Sequence, residues 1–394
     1  MFKHLFKLIW NRKGQNFLLF TEILVSFLVV FLLCTSIVYY LINYNKPLGI
    51  DYKPVWSIRY SNELPTKNID SIVMFYEGLK MRLQEFPEIE AVSYTGNNIP
   101  YSHSFSSGNL SYNGITYDRI ANYQVGDDFL KVWGMKLKSG RWFTPQDALF
   151  KDQPLIINAS LEKEMFGNAV GSGQLIKGKG DERNFRVIGV VDDVKSDSDF
   201  DPAGSGMYMR IDTGNYRWLS MLSIKVRPNA DAAFESKLSR FMSNAMKNSS
   251  IEIAHLEDMR KDKNSSKIMP VIIFMIVAGF LVINVALGLF GVLWYNINRR
   301  KSEIGLRRAI GATGNNVSYQ LVSESIILAT LSLILGSFFA IQFPILHVYN
   351  MPSNVYLIAM GIAIVFIYLL VFLCSLYPGK QAAGIHPAIA LHEE

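Results

Sequence analysis

Five aspartates form the densest set of possible metal-binding or acid–base groups in the sequence. They occupy positions 192, 193, 197, 199 and 201. A calcium loop that began at Asp197 would need glycine at its sixth position and an acid at its twelfth, where Pro202 and Tyr208 stand. Like charges usually remain in water, so we interpret the stretch as a solvated loop, with a weak cation site as the alternative.

Other catalytic or nucleotide-binding patterns lack the spacing that their chemistry requires. The six histidines are scattered, with no H-E-x-x-H pair for zinc. Ser172 and Ser205 lie beside glycines but outside a G-x-S-x-G context. No G-x-x-x-x-G-K-[ST] loop occurs, and we expect the 16 residues before the first apolar run to leave no room for a nucleotide-binding domain. We therefore expect no catalysis by this chain, and no bound cofactor or metal.

Residues 298–317, NRRKSEIGLRRAIGATGNNV, carry five basic residues against one acid, Glu303. Ile304, Ala309 and Ile310 suggest a shared helical stripe among these charges. Gly311 should end that helix, because glycine readily takes the conformation found after a helix. A short basic segment between two membrane spans is cytoplasmic by the positive-inside rule.

Four apolar runs are long enough to cross a bilayer, which takes about 20 residues each. The charge of +6 comes mainly from segments that this topology places inside, so it indicates membrane orientation and gives no support for nucleic-acid binding. The predicted order is an amphipathic N-terminus in contact with membrane lipids (1–16), a first span (17–42), an outer domain (43–267), a second span (268–296), the basic segment (297–317), a third span (318–346), an outer loop (347–354), a fourth span (355–377) and a cytoplasmic tail (378–394).

The outer domain shows a strand–helix–strand pattern near its start and again near its end. Together the two units predict one α/β sandwich, with residues from about 98 to 215 inserted as a second subdomain. The fold class is thus an α+β membrane protein with four transmembrane helices, one plus three, around a large extracytoplasmic α/β domain. The predicted elements are Val55–Tyr60, Ile69–Phe86 and Ala91–Tyr94, then Met221–Val226, Asp231–Met246 and Ile251–Ala254.

Two kinds of residue stand out inside the apolar runs. Glu22 and Glu324 are costly against lipid, so each should face protein or the interface, and we prefer a structural hydrogen bond to a role in coupling or proton transfer. Ser332, Gly336 and Ala340 repeat at a spacing of four and predict a face on which another helix can approach closely. The second span should begin outside the membrane, within His255–Lys267, as a stalk.

These patterns together resemble the FtsX-like permeases of ABC transporters. The motif EIGLRRAIGAT, with Glu324 following it, is similar to the family signature, and Pro378–Glu394 is similar to the usual ending of such permeases. Three stretches of the outer domain resemble the MacB-type periplasmic core domain: Asp128–Phe143, Pro154–Gly167 and Phe185–Val194.

The resemblance implies a multi-pass permease of the cell inner membrane, whose periplasmic domain is a porter-like subdomain split by an inserted one. It implies a dimer with a second copy or a paralogue, and a separate cytoplasmic ABC ATPase that holds ATP and magnesium. ATP hydrolysis would move the outer domain for export or extraction of a substrate, a mechanism called mechanotransmission, and a periplasmic adaptor or enzyme is a further candidate partner. The coupling residues would be Glu303, Ile304, Gly305, Leu306, Arg307, Arg308, Ala309, Ile310 and Gly311.

Two other functions stay open at this point. A sensing or signalling subunit for extracytoplasmic peptides would share the fold, and a membrane scaffold would act without ATP. A neighbouring gene for an ATPase would argue against the scaffold.

Overall fold

The computed structural model describes residues 13–61, 64, 66–178, 184–247 and 249–384. Residues 1–12 of the predicted amphipathic N-terminus and residues 385–394 of the predicted tail lie outside the described residues. Residues 43–267 form one unit, the outer unit, and the described residues on either side of them form a second, the membrane unit.

Helices and strands alternate through the outer unit and give way to helices alone after it. The strands are β1 (Val55–Tyr60), β2 (Ile89–Thr95), β3 (Ser107–Tyr112), β4 (Ile115–Val125), β5 (Leu137–Gly140), β6 (Gln153–Asn158), β7 (Leu175–Gly178), β8 (Asn184–Val191), β9 (Gly206–Arg210), β10 (Met221–Val226) and β11 (Ile251–His255). The α-helices are α1 (Lys13–Tyr44), α2 (Ile69–Gln84), α3 (Phe129–Trp133), α4 (Ala159–Phe166), α5 (Ala232–Ala245), α6 (Leu256–Arg299), α7 (Lys301–Ala309), α8 (Gly314–Ala340), α9 (Gln342–Ile345) and α10 (Ser353–Ala383).

Strands from the two ends of the outer unit form one antiparallel layer in the order β11-β1-β10-β2. Helices α2 and α5 cover this layer, and Ile58, Tyr76, Leu222 and Leu238 are buried between them. The order and the two strand–helix–strand units are those of a split β-α-β fold. The predicted sandwich, built from the two ends of the domain, is therefore confirmed.

The inserted subdomain is a closed barrel. Strand β3 pairs with β4, which pairs with β9; the ring continues through β6, β8 and β7, and β7 pairs back with β3. Its buried side chains include Leu155, Ile157, Val187 and Met207. The second subdomain was predicted, but its closure was not. Closure gives each of the six strands two neighbours, which protects strand edges from unwanted pairing.

The membrane unit is built on four helices that are long and apolar enough to span a membrane: α1, the apolar part of α6, α8 and α10. Its core contains Phe27 of α1, Ala329 of α8, and Ala363 and Ile367 of α10, all fully buried. The one-plus-three arrangement predicted from the apolar runs is thus present.

The fourth of these helices is longer than the sequence patterns indicate. Helix α10 continues through Pro378 to Ala383, although the predicted fourth span ends at Tyr377. The continuation is held by packing, because Pro378, Gly379 and Ala382 are buried. Helix α6 begins at Leu256, within the stretch where the start of the second span was predicted. Its Asn264 side chain accepts a hydrogen bond from the backbone N–H of Asp199 at 2.9 Å.

Candidate functional site

The basic segment folds into a bend between two membrane helices, which we call the elbow and define as residues 297–324. Helix α7 begins one residue after α6 ends, with Arg300 between them. Gly311 ends the following turn at φ +105°, a conformation that other residues rarely adopt. Thr313 then caps α8 by accepting a hydrogen bond from the backbone N–H of Asn316. Within the elbow, helix α7 is therefore separated from α6 and from α8 by a defined break on each side.

An apolar cluster fills the inside of the elbow. Ile297 of α6, Ile304 of α7, Val317 and Leu321 of α8 and Ala382 of α10 are all buried in it. Four helices thus meet at one small core, and α7 cannot rotate independently without exposing Ile304.

A chain of polar contacts reinforces this core. Arg300 donates to Glu324 at 3.1 Å, and the two side chains are only 9% and 19% exposed. Gln320 donates to Glu324 at 3.0 Å and accepts from Arg307 at 2.9 Å. Arg307 also pairs with Glu303 at 2.6 Å. The acid inside the third apolar run therefore faces protein and binds the basic segment.

A further contact ties the elbow to the end of α10. The Arg308 guanidinium donates to the carbonyl of Ala383 at 2.8 Å, which satisfies a group that a helix end leaves without a partner. Gly314 lies so close to Ala383 that an added Cβ would be 2.8 Å from the same oxygen. The elbow is consequently held both by its own polar contacts and by its contact with the end of α10.

The predicted stripe of Ile304, Ala309 and Ile310 is wrong. Ile304 is buried, whereas Ala309 and Ile310 are exposed. At 3.6 residues per turn, residues five apart differ by about 140° around a helix, so Ile304 and Ala309 cannot share a face. The exposed apolar pair is instead Leu306 and Ile310, four residues apart and 55% and 80% exposed.

This arrangement suits binding to another protein. Among the described residues no group of three or more His, Cys, Asp or Glu side chains is placed to hold a metal ion. The elbow instead presents two apolar side chains, Leu306 on α7 and Ile310 just after its end, while Arg307 and Arg308 are engaged within the protein. A partner with an apolar pocket would match this surface.

Glu22 lies on α1, where it faces α6. An added Cβ on Gly288 would lie 2.5 Å from both carboxylate oxygens of Glu22, so the absence of a side chain there makes room for the acid. The glutamate is half-buried and points toward protein.

Small residues on α8 lie against α1. Ser332 donates across the interface to the carbonyl of Phe20 at 3.1 Å, and Ala340 is buried. An added Cβ on Gly336 would lie 2.5 Å from the ring of Phe27. Ser332 and Gly336 therefore lie where α8 contacts α1, and close approach along the full spacing to Ala340 stays a prediction.

We expect Gly336→Leu to destabilise the membrane unit by about 1–3 kcal/mol, the usual range for overpacking a filled interior. Gly361→Leu is the matched control, because Gly361 lies on a spanning helix with no atom within 4 Å of an added Cβ. Thermal unfolding of the full chain in detergent measures both. Equal losses in the two variants would contradict close packing at Gly336.

The interpretation of the aspartates as a solvated loop holds for the exposed Asp192 but is wrong for the part that contains Asp199. Asp199 is 1% exposed, and Arg260 of α6 donates to it through Nε at 3.0 Å. Asp197 and Asp201 pair with Lys263 and Lys267. The cations that neutralise the loop lie about sixty residues further along the chain, so local sequence gives no warning of them.

The electrostatics of this loop follow from these partners. Burial would raise the pKa of Asp199, but hydrogen bonds from Arg260 and Tyr101 outweigh it and hold that pKa below its ordinary value. Burial likewise opposes the charge on Asp197, and the hydrogen bond from Lys263 lowers the pKa of Asp197 overall. Asp197, Asp199 and Asp201 are therefore all paired with basic side chains, which argues against the alternative of a cation site.

Sequence reasoning missed Arg260, Gln320 and Lys195 as structural residues. A signal for the first was present: Arg260, Lys263, Asn264 and Lys267 have the spacing of one helical face. Gln320 lies four residues before Glu324, so the two share a face of α8. Nothing in the sequence points to Lys195.

Four helices able to span a membrane, with a separate α/β unit inserted after the first, define a multi-pass membrane protein with a large extramembrane domain. The family model described as MacB-like periplasmic core domain matches residues 34–241, and the one described as FtsX-like permease C-terminal matches residues 275–387. The chain belongs to the FtsX-like permeases of ABC transporters that carry a MacB-like periplasmic core domain, as its sequence resemblance predicted.

Two curated relatives have the same printed name, macrolide export ATP-binding/permease protein MacB. The one from Mannheimia succiniciproducens is 25% identical over 77% of this chain and 47% of its own length. The one from Bdellovibrio bacteriovorus is 26% identical over 82% of this chain and 51% of its own length. The chain thus spans about half the length of these relatives. The crystal structure of the periplasmic region of MacB from Actinobacillus actinomycetemcomitans aligns with 54% of this chain and 94% of its own, at 20% identity and a TM-score of 0.39.

Proposed function

We propose that this chain is the non-catalytic permease subunit of an ABC transporter in the cell inner membrane. A separate cytoplasmic ATPase holds ATP and magnesium and hydrolyses the nucleotide. The permease converts that cycle into movement of its periplasmic domain, for export or extraction of a substrate. A second permease copy or paralogue completes the dimer, and a periplasmic adaptor or enzyme is a further candidate partner. The relatives' printed names, which join an ATP-binding part to a permease, support this assignment.

The elbow is the observation that carries the proposal. The side of the elbow that faces the neighbouring helices is fixed by the Arg300–Glu324 pair and by the buried cluster around Ile304. The side that faces away from them exposes Leu306 and Ile310. Because the elbow is fixed to its neighbours and exposes an apolar surface, a protein bound at that surface can transmit its movement to α6 and α8. In this proposal Glu303–Gly311 is the coupling helix.

The test is whether an ATPase binds at this surface. We expect a tagged full chain, purified from its native host in detergent, to bring down an ATPase identifiable by mass spectrometry. Ile310→Asp should reduce the recovered ATPase at least about tenfold, because a carboxylate placed in an apolar contact loses its water without gaining a partner. The fold should tolerate the change, since Ile310 is 80% exposed.

Asn315→Asp is the matched control, because it adds the same charge nearby at an exposed position. This variant should keep its ATPase. If Ile310→Asp retains the ATPase as well as Asn315→Asp does, the coupling surface lies elsewhere. If the parent chain recovers no ATPase, the assignment as a permease subunit of this kind fails.

A further inference from the structure

One loop of the inserted barrel contacts the outer end of the first helix. This loop, residues 195–201 between β8 and β9, is called the clamp loop below. Lys195 is 1% exposed, and its ammonium donates to the backbone carbonyls of Asn43, near the end of α1, and of Asp199. Phe200 stacks on Tyr44, the last residue of α1, with ring centroids 5.5 Å apart. The Lys195 ammonium thus donates a hydrogen bond to a carbonyl in the last turn of α1, where a helix favours positive charge.

The same loop contacts the beginning of α6. The Asp199 carboxylate accepts hydrogen bonds from Nε and Nη2 of Arg260. The Asp199 backbone N–H donates to the Asn264 side chain at 2.9 Å. Lys263 lies 3.1 Å from Asp197, and Lys267 lies 3.0 Å from Asp201. The four helix residues follow one another at spacings of three, one and three, so a single face of α6 rests on the clamp loop.

The clamp loop is itself held firmly within the outer unit. Tyr101 donates through its hydroxyl to Asp199 at 2.9 Å and through its backbone N–H to Ser196 at 2.6 Å. It does so at φ +61°, a left-handed conformation that is costly for a residue other than glycine. The Arg260 guanidinium also lies 4.1 Å from the ring centre of Tyr52. The left-handed conformation of Tyr101 persists only where its surroundings fix it, so the loop is bound at two points by a residue that is itself held in place.

These contacts give the two helices a second attachment within the outer unit. Along the chain, α1 leads toward β1 and α6 directly follows β11, and both strands belong to the four-stranded layer. The barrel is joined to that layer by the links from β2 to β3 and from β9 to β10, and by a short pairing of β2 with β4 at Thr95 and Val125. Through the clamp loop, however, the barrel also binds the last turn of α1 and the first turns of α6 directly.

We propose that the clamp loop is the point at which movement of α1 and α6 is passed to the inserted barrel, with Lys195, Asp199 and Arg260 as its positioning residues. The barrel then receives movement of the two helices through contacts of its own, in addition to any movement that reaches it through the layer. This proposal rests on the proposed function, since it assigns the route taken by the coupled movement.

Hydrogen exchange of the full chain in nanodiscs, together with the ATPase that co-purifies with it, tests this route. Exchange is compared without nucleotide and with ATP plus vanadate, in the parent, Arg260→Lys and Lys195→Met. Lysine at position 260 keeps the charge but loses the two-pronged contact with Asp199, so the chain should still fold. Arg186→Lys is the control, because Arg186 pairs with Asp152 on the same barrel at 3.0 Å but outside the clamp loop.

We expect the parent and Arg186→Lys to show nucleotide-dependent exchange in α6 residues 256–267 and in barrel strands β8 and β9. In Arg260→Lys and Lys195→Met the change in 256–267 should persist, while the change in the barrel falls at least about fivefold. A merely structural role would not separate these two readouts.

Three results would overturn the proposal. The first is an undiminished barrel response in both clamp variants, with the ATPase bound. The second is a parent chain whose barrel shows no nucleotide-dependent exchange although 256–267 responds. The third is a parent chain that binds no ATPase, which refutes the proposed function itself and is thereby distinguishable from a failure of the clamp alone.

Discussion

Replacing Arg300 by alanine should destabilise the membrane unit by about 3–5 kcal/mol, the usual loss when one partner of a buried ion pair is removed. Its side chain is 9% exposed and lies 3.1 Å from Glu324. Without the guanidinium, the hydrogen bond from Gln320 is the one contact that the described part of the chain leaves to the Glu324 carboxylate, which remains mostly buried. Unfolding of the full chain in mixed micelles measures the loss.

Two further variants separate this pair from a general charge effect. Arg299→Ala removes the same type of charge one residue earlier, at an exposed position, and should change stability by less than about 0.5 kcal/mol. The double variant Arg300→Met with Glu324→Met should recover most of the loss, because two apolar groups leave no uncompensated charge. An Arg300→Ala variant no less stable than Arg299→Ala would show that the pair does not hold the elbow.

Gly49→Ala should destabilise the outer unit by about 2–5 kcal/mol, the sum of a left-handed backbone penalty and a steric overlap. Gly49 has φ +80°, and an added Cβ would lie 2.1 Å from the carbonyl oxygen of Asp193. That atom belongs to the backbone just before the clamp loop, so it cannot move aside as a flexible side chain would.

Gly114→Ala isolates the overlap from the backbone penalty. Gly114 has nearly the same angle, φ +79°, but no atom lies within 4 Å of an added Cβ. We expect it to lose only about 1–2 kcal/mol, the backbone part alone. Urea unfolding of the full chain followed by tryptophan fluorescence compares the two, and the prediction fails if their midpoints are equal.

Local patterns in the sequence identified the elements of the four-stranded layer well. Strands β1 and β10 begin and end where the alternation of apolar residues predicts. The outer helices match because their buried residues, such as Tyr76 and Leu238, recur at helical spacing. Periodicity of this kind reports which side of an element is buried, and it does so without knowledge of the neighbours.

Pairing between distant segments could not be predicted in the same way. Asp199 meets Arg260, and Arg300 meets Glu324, only after the chain has folded. An unpaired run of aspartates resembles a solvated loop until its cations are found. Leu306 and Ile310 were also not recognised as an exposed pair. The face that a nine-residue helix buries depends on the helices around it, here α6, α8 and α10.

The closed ring of strands bears on how this protein can diverge. Six strands that satisfy one another leave the connections between them free to change length or composition at small energetic cost. Selection can therefore change those connections in length and composition, while residues 195–201 stay fixed by their contacts with the two helices.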